Sequence, residues 1–206
     1  MLDTNLKQQL TTYLQNLTSA VELSVFLGDD VKSKELNALV AEIAQMSALV
    51  TVVEADASNE RVPSMLVKSV KTGGEMRFAG VPMGHEFTSL VLALLHSGGH
   101  PIKLDKAVIE QVAALEGKYS FETYISLSCQ NCPDVVQALN MMAAINPQIQ
   151  HVMVDGALFQ EEVYKRDILS VPTVYLNGKA FGQGRMTVTE ILNKVDTNAG
   201  ARQAKT

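Results

Sequence analysis

Cys129 and Cys132 stand three positions apart and are the only cysteines in 206 residues. Side chains at i and i+3 share one face of a helix, so the two sulfurs come within reach of each other. Such a pair can close and open a disulfide, or supply half of a tetrahedral metal site. A structural zinc site needs two more Cys or His ligands. The histidines His85, His96, His100 and His151 are scattered, without paired ligand spacing. Redox exchange is therefore the favoured chemistry, and no metal is expected. In such a dithiol one cysteine captures a partner disulfide and the other resolves the mixed disulfide.

The elements that must position the pair follow from periodicity. Val21 to Leu27 and Phe121 to Leu127 alternate into strands, and Cys132 to Ile145 carries a helical pattern. Cys129 thus falls between a strand and a helix, where unpaired backbone N–H groups and the positive helix end favour a thiolate. The first half reads as a helix capped by Asp3 and running through Leu17, strand 21–27, a helix through Leu36, Leu39, Val40 and Ile43, and strand 50–53. A hairpin around Gly73-Gly74 and an apolar helix, Phe87 to Leu95, complete it. The second half repeats the plan: strand 121–127, helix 132–145, strand 150–154, a helix near 160–166, strand 173–176, an Asn177-Gly178 hairpin, and a helix from Thr187 to Val195.

Laying Val21–Leu27 on Phe121–Leu127 gives an offset of 100 residues and brings Val62-Pro63 near Val171-Pro172, a degenerate repeat. Asp29 and Lys32 occupy the places of Cys129 and Cys132, so the first half cannot do the same chemistry. A C-x-x-C between strand and helix, with Val-Pro some 40 residues later before a hairpin, points to an α/β thioredoxin-type fold. The residues alone give two similar halves, only the second with a redox C-x-x-C. The boundaries read as 1–100 for the cysteine-free fold, 101–118 for a connecting helix, 119–196 for the cysteine-bearing fold, and 197–206 for the start of a linker. Val171 and Pro172, with Gln130 and Asn131 between the cysteines, are the candidate partner contacts. A cis Val171–Pro172 bond would leave the Val171 backbone free to pair with a partner's extended chain.

Composition narrows the partners. A net charge of −5 and no basic run interleaved with aromatics argue against nucleic acid. The N-terminus carries an acid and no apolar stretch before Tyr13, and the longest apolar run, Leu90 to Leu95, is too short for a bilayer. A soluble, cytoplasmic chain with no membrane partner is expected. In that compartment a structural disulfide is disfavoured.

Longer stretches carry a resemblance: Met1-Leu2-Asp3-Thr4-Asn5, Arg77-Phe78-Ala79-Gly80, Gly84-His85-Glu86-Phe87-Thr88-Ser89, Ser126-Leu127-Ser128-Cys129, Asn131-Cys132-Pro133-Asp134 and Phe181-Gly182-Gln183-Gly184-Arg185-Met186-Thr187. Nearly from end to end the chain resembles the N-terminal domain of the flavoprotein subunit of bacterial alkyl hydroperoxide reductase. The resemblance implies that the two halves are two tandem thioredoxin/glutaredoxin-like folds packed as one unit, a disulfide oxidoreductase domain without a cofactor of its own. A following thioredoxin-reductase-like part, absent here, would carry FAD and an NADH site and reduce Cys129–Cys132. The dithiol would then reduce the peroxiredoxin subunit.

The resemblance also makes Glu86 an acid that the first fold contributes to the neighbourhood of the dithiol; from the residues alone, Glu86 reads as a favourable charge at a helix start. Gln130 departs from the family's usual histidine, replacing an imidazole with an amide that offers only dipoles. Gly182 to Thr187 lacks the third glycine of a dinucleotide fingerprint and follows a hairpin, so it reads as a turn. Competing readings are a general glutaredoxin-like disulfide oxidoreductase and a non-catalytic docking adaptor.

Overall fold

The computed structural model describes residues 2–203, with side chains to Val195. Eight strands form one sheet: β1 (Val21–Phe26), β2 (Val50–Glu54), β3 (Ser64–Ser69), β4 (Glu75–Ala79), β5 (Tyr119–Ile125), β6 (Ile149–Asp155), β7 (Thr173–Leu176) and β8 (Lys179–Gln183). Their order across the sheet is β2-β1-β3-β4-β6-β5-β7-β8. In the first half β1 runs parallel to β2 and antiparallel to β3, which pairs antiparallel with β4. In the second, β5 runs parallel to β6 and antiparallel to β7, which pairs with β8. The halves share one plan, and β4 joins β6 in parallel register from Met76↔His151 to Ala79↔Val154.

The helices are α1 (Thr4–Leu14), α2 (Val31–Met46), α3 (Phe87–Ser97), α4 (Lys106–Ala113), α5 (Cys132–Ile145), α6 (Gln160–Lys165) and α7 (Val188–Gln203). The apolar stripe of α2, Leu36, Leu39, Val40 and Ile43, is fully buried, as its 3–4 residue spacing requires. The side chains of α3 and α5 meet Phe78 and Phe121 in one apolar cluster that spans both halves. Burial of a leucine or phenylalanine at such a position contributes about 2 kcal/mol, and one shared cluster makes the two folds a single unit. Among the described residues no helix is long and apolar enough to cross a membrane.

Several boundaries differ from the sequence reading for local reasons. The first helix ends at Leu14, because the amides of Gln15, Asn16 and Leu17 turn onto carbonyls only three residues back. The strand leading to the cysteines stops at Ile125: the Cys129 amide donates to the Ser126 carbonyl at 3.0 Å and folds 126–129 into a turn. The connecting segment 101–118 is helical only over Lys106–Ala113, with Pro101 before it and Gly117 at φ +102° after it. The last helix continues to Gln203, past the end at Val195 that its apolar pattern marks, so the stretch read as the start of a linker is helical as far as Gln203; residues 204–206 of that reading lie outside the described residues.

Candidate redox site

Cys129 and Cys132 are joined as a disulfide with their Cα atoms 5.5 Å apart. Cys132 opens α5 and is fully buried, whereas Cys129 sits in the preceding turn and is half-buried. The N-cap residue of α5, Asn131, makes no side-chain capping bond. Instead the Cys132 amide donates to Cys129 Sγ at 3.1 Å. A sulfur so placed receives a helix-end N–H and the positive end of the helix dipole, and both favour the thiolate once the disulfide opens. The accessible sulfur is the one that the helix activates, and the shielded sulfur is its neighbour.

The Val171 carbonyl lies 3.9 Å from Cys129 Sγ. The peptide bond Val171–Pro172 is cis, as is Val62–Pro63 in the first half. Val171 is partly exposed, Pro172 is buried, and Gln130 and Asn131 are exposed. The structure therefore gathers Cys129, Cys132 and Val171 at one spot and leaves the residues between the cysteines open to solvent.

Glu86 lies in the first fold, where it closes a single turn of 3-10 helix, Gly84–Glu86, that packs on α5. Gly84 adopts φ +57°, and a Cβ there would stand 2.7 Å from the Leu127 carbonyl, an approach that only glycine allows. The neighbouring His85 amide donates to that carbonyl at 3.0 Å, tying this turn to the loop before Cys129. Glu86 is fully buried, and burial pushes its carboxyl up to about 7 against a smaller opposing effect of the Ser89 hydroxyl. Ser89 Oγ donates to Glu86 Oε2 at 2.6 Å and accepts from Gln137 Nε2 of α5 at 3.2 Å. Glu86 Oε1 has no hydrogen-bond partner among the described residues. Ser89 stands at i+3 from Glu86 and was readable as its helical neighbour; no sequence signal pointed to Gln137.

Other singled-out residues serve the scaffold. His151 is buried between Thr123 Oγ1 at 2.8 Å and Asn140 Oδ1 at 2.7 Å, and burial holds its imidazole down at about 3, hence neutral. Tyr124 turns its hydroxyl to Glu162 at 2.6 Å. The Gly182–Thr187 segment does not fit a dinucleotide. It leaves β8, an antiparallel edge strand, and a Cβ on Gly182 would meet Lys194 Nζ at 2.9 Å and Met186 Sδ at 3.0 Å. At the start of α7, Thr187 Oγ1 accepts from the Glu190 amide at 3.2 Å and Glu190 Oε2 from the Thr187 amide at 2.7 Å, a capping box that occupies the donors a phosphate would use.

Comparison with known proteins agrees with this arrangement. A family profile described as the thioredoxin domain matches residues 119–197. The F subunit of alkyl hydroperoxide reductase from Pseudomonas putida is 59% identical over 205 residues; the match takes in 100% of this chain, which spans 39% of that protein's length. A protein disulfide oxidoreductase from Aeropyrum pernix superposes with a TM-score of 0.84 over 98% of this chain and 96% of its own, at 24% identity, a likeness of fold. The crystal structure of the N-terminal (NTD_N/C) domain of alkylhydroperoxide reductase AhpF from Enterococcus faecalis superposes with a TM-score of 0.86, at 32% identity, over 94% of this chain and 99% of that one. The chain, a thioredoxin-type disulfide oxidoreductase domain, belongs to the family of N-terminal domains of the alkyl hydroperoxide reductase AhpF.

Proposed function

We propose that this domain relays electrons to the disulfide of a peroxiredoxin by two successive thiol–disulfide exchanges, in the cytoplasm. Electrons reach the Cys129–Cys132 disulfide from a following thioredoxin-reductase-like part of the same protein, which supplies flavin chemistry with FAD and NADH. Cys129 thiolate then attacks one sulfur of the partner disulfide, forming a mixed disulfide and releasing one partner thiolate. Cys132 attacks Cys129 Sγ, closing the internal disulfide and releasing the second. Two electrons pass to the partner, and two protons complete its thiols.

The observation that carries this reading is the half-buried Cys129 Sγ at the N-terminus of α5, accepting the Cys132 amide, with Cys132 shielded beside it. Glu86, whose carboxyl is held near neutral pH, is suited to give and take the proton of the exchange. The Val171 carbonyl and the exposed Gln130 and Asn131 border the approach to Cys129.

The test is Cys129→Ser in the full-length protein with NADH and an oxidised peroxiredoxin. Turnover is expected to fall on the order of 1000-fold, because the hydroxyl is not ionised at neutral pH. Turnover at the parent rate sinks the reading.

A further inference from the structure

We propose that Arg61 of the first fold is a positioning residue for exchange in the second fold, holding α6 and, through it, the Asp167–Val171 segment that borders Cys129. This rests on the reading that the dithiol exchanges with a protein disulfide.

Arg61 lies just before the cis Val62–Pro63 bond, yet its side chain leaves its own fold. Nε donates to Glu162 Oε1 at 2.8 Å and Nη2 to Glu162 Oε2 at 2.7 Å, a two-pronged grip on α6. Nη2 also pairs with Glu122 on β5. Arg166, just past α6, donates from Nη1 to Glu122 Oε1 and to the Tyr124 hydroxyl, both at 2.9 Å, and the Tyr124 hydroxyl donates to Glu162 Oε2. The Arg166 guanidinium stacks over Tyr175 at 4.2 Å, whose hydroxyl donates to the Arg166 carbonyl.

This polar cluster matters because α6 has little else. None of its residues is fully buried; Val163, with Ile168 beyond the helix, is only partly covered against Ala79, Tyr124 and Val154. From Arg166 the chain runs to Val171 through Asp167, Leu169 and Ser170, all exposed and Leu169 94% so, with only Ile168 partly covered. The near end of the segment is fixed by the cluster. The far end is fixed by Thr173 Oγ1 on the Ser170 carbonyl and by the Gly184 amide on the Pro172 carbonyl. Removing Arg61 leaves half-buried Glu162 with the Tyr124 hydroxyl as its remaining partner in the cluster and Glu122 with Arg166 alone, so the direct cation on α6 is lost.

The test uses the reduced chain and Arg61→Met, Arg61→Lys and Glu162→Gln variants, with two oxidants: an oxidised bacterial peroxiredoxin, and 5,5′-dithiobis(2-nitrobenzoate), a disulfide too small to touch the segment. Arg61→Met and Glu162→Gln are expected to slow the reaction with the peroxiredoxin about tenfold and that with the small disulfide less than about twofold, while Lys, a single charge without the fork, recovers part of the loss. Amide exchange over Val163–Ile168 is expected to speed up in the same two variants. Equal slowing with both oxidants, or unchanged exchange in both folded variants, overturns the proposal. If the parent chain itself fails to reduce the peroxiredoxin, the proposed function falls, and the amide exchange alone decides whether Arg61 holds α6.

Discussion

The two folds solve the same helix start in opposite ways. In the first, Asp30 caps α2: its Oδ1 accepts the Ser33 amide at 2.9 Å, its Oδ2 accepts Ser33 Oγ at 2.6 Å, and Ser33 Oγ accepts the Gly28 amide at 2.9 Å. In the second, Asn131 leaves the helix end uncapped and a cysteine sulfur takes the amide. Before the cis proline the contrast repeats. Glu60 and Arg61 are consumed in ion pairs, whereas Leu169 and Ser170 stand open to solvent. A helix start satisfied by side chains is architecture; the same start left to a sulfur is chemistry.

Glu86 tests the contrast most severely, since on the proposed function the architectural fold gives a group to the reactive one. Its folded pKa is raised from 4.5 to about 7, so the native state holds the proton more tightly than the unfolded chain. The stability this gives is complete below about pH 4.5 and is lost as pH rises through 7. Glu86→Gln removes the charge and keeps the bond to Ser89. It is expected to match the parent at pH 4 and to exceed it by about 3 kcal/mol at pH 8 in denaturant unfolding. A gap that grows toward acid instead would mean that Glu86 is buried as an anion.

The caps give a smaller effect. Asp30→Ala is expected to cost about 1 kcal/mol, and Asn131→Ala less than about 0.5 kcal/mol. Equal losses in thermal or chemical unfolding would erase the distinction between the two helix starts. Smallest is Gln130→His, expected to lower the Cys129 pKa by about half a unit through a hydrogen bond or charge beside the thiolate. Ultraviolet titration of the thiolate with pH measures it, and equal values in variant and parent remove the effect.

Much of this was legible beforehand because it is local. α5 runs from Cys132 to Ile145 and β7 from Thr173 to Leu176 where periodicity and the flanking Pro and Asn-Gly placed them. The 100-residue offset matched β1 to β5, which hold corresponding places in the two halves of the sheet. What stayed hidden is what tertiary packing alone creates. Met76 and His151 carry no mark of pairing, yet their register joins the halves. Arg61 sits 101 positions from Glu162, and each reads alone as an ordinary solvated charge. Gln137 looks like one more polar residue of an amphipathic helix until Ser89 meets it. The extension of α7 escaped for another reason: beyond Val195 the apolar spacing that marks a buried face ends.

The pairing of β4 with β6 has a consequence for what the chain can survive. Each of these strands would be an outermost strand in its own half, with a row of bare N–H and C=O groups ready to template another chain. Joined, they cover each other, and the sheet ends only at β2 and β8. The cysteine-free fold thus covers, with β4, the β6 edge of the reactive one. Trimming the chain to its cysteine-bearing half would keep the dithiol and its helix while trading a covered edge for an adhesive flank.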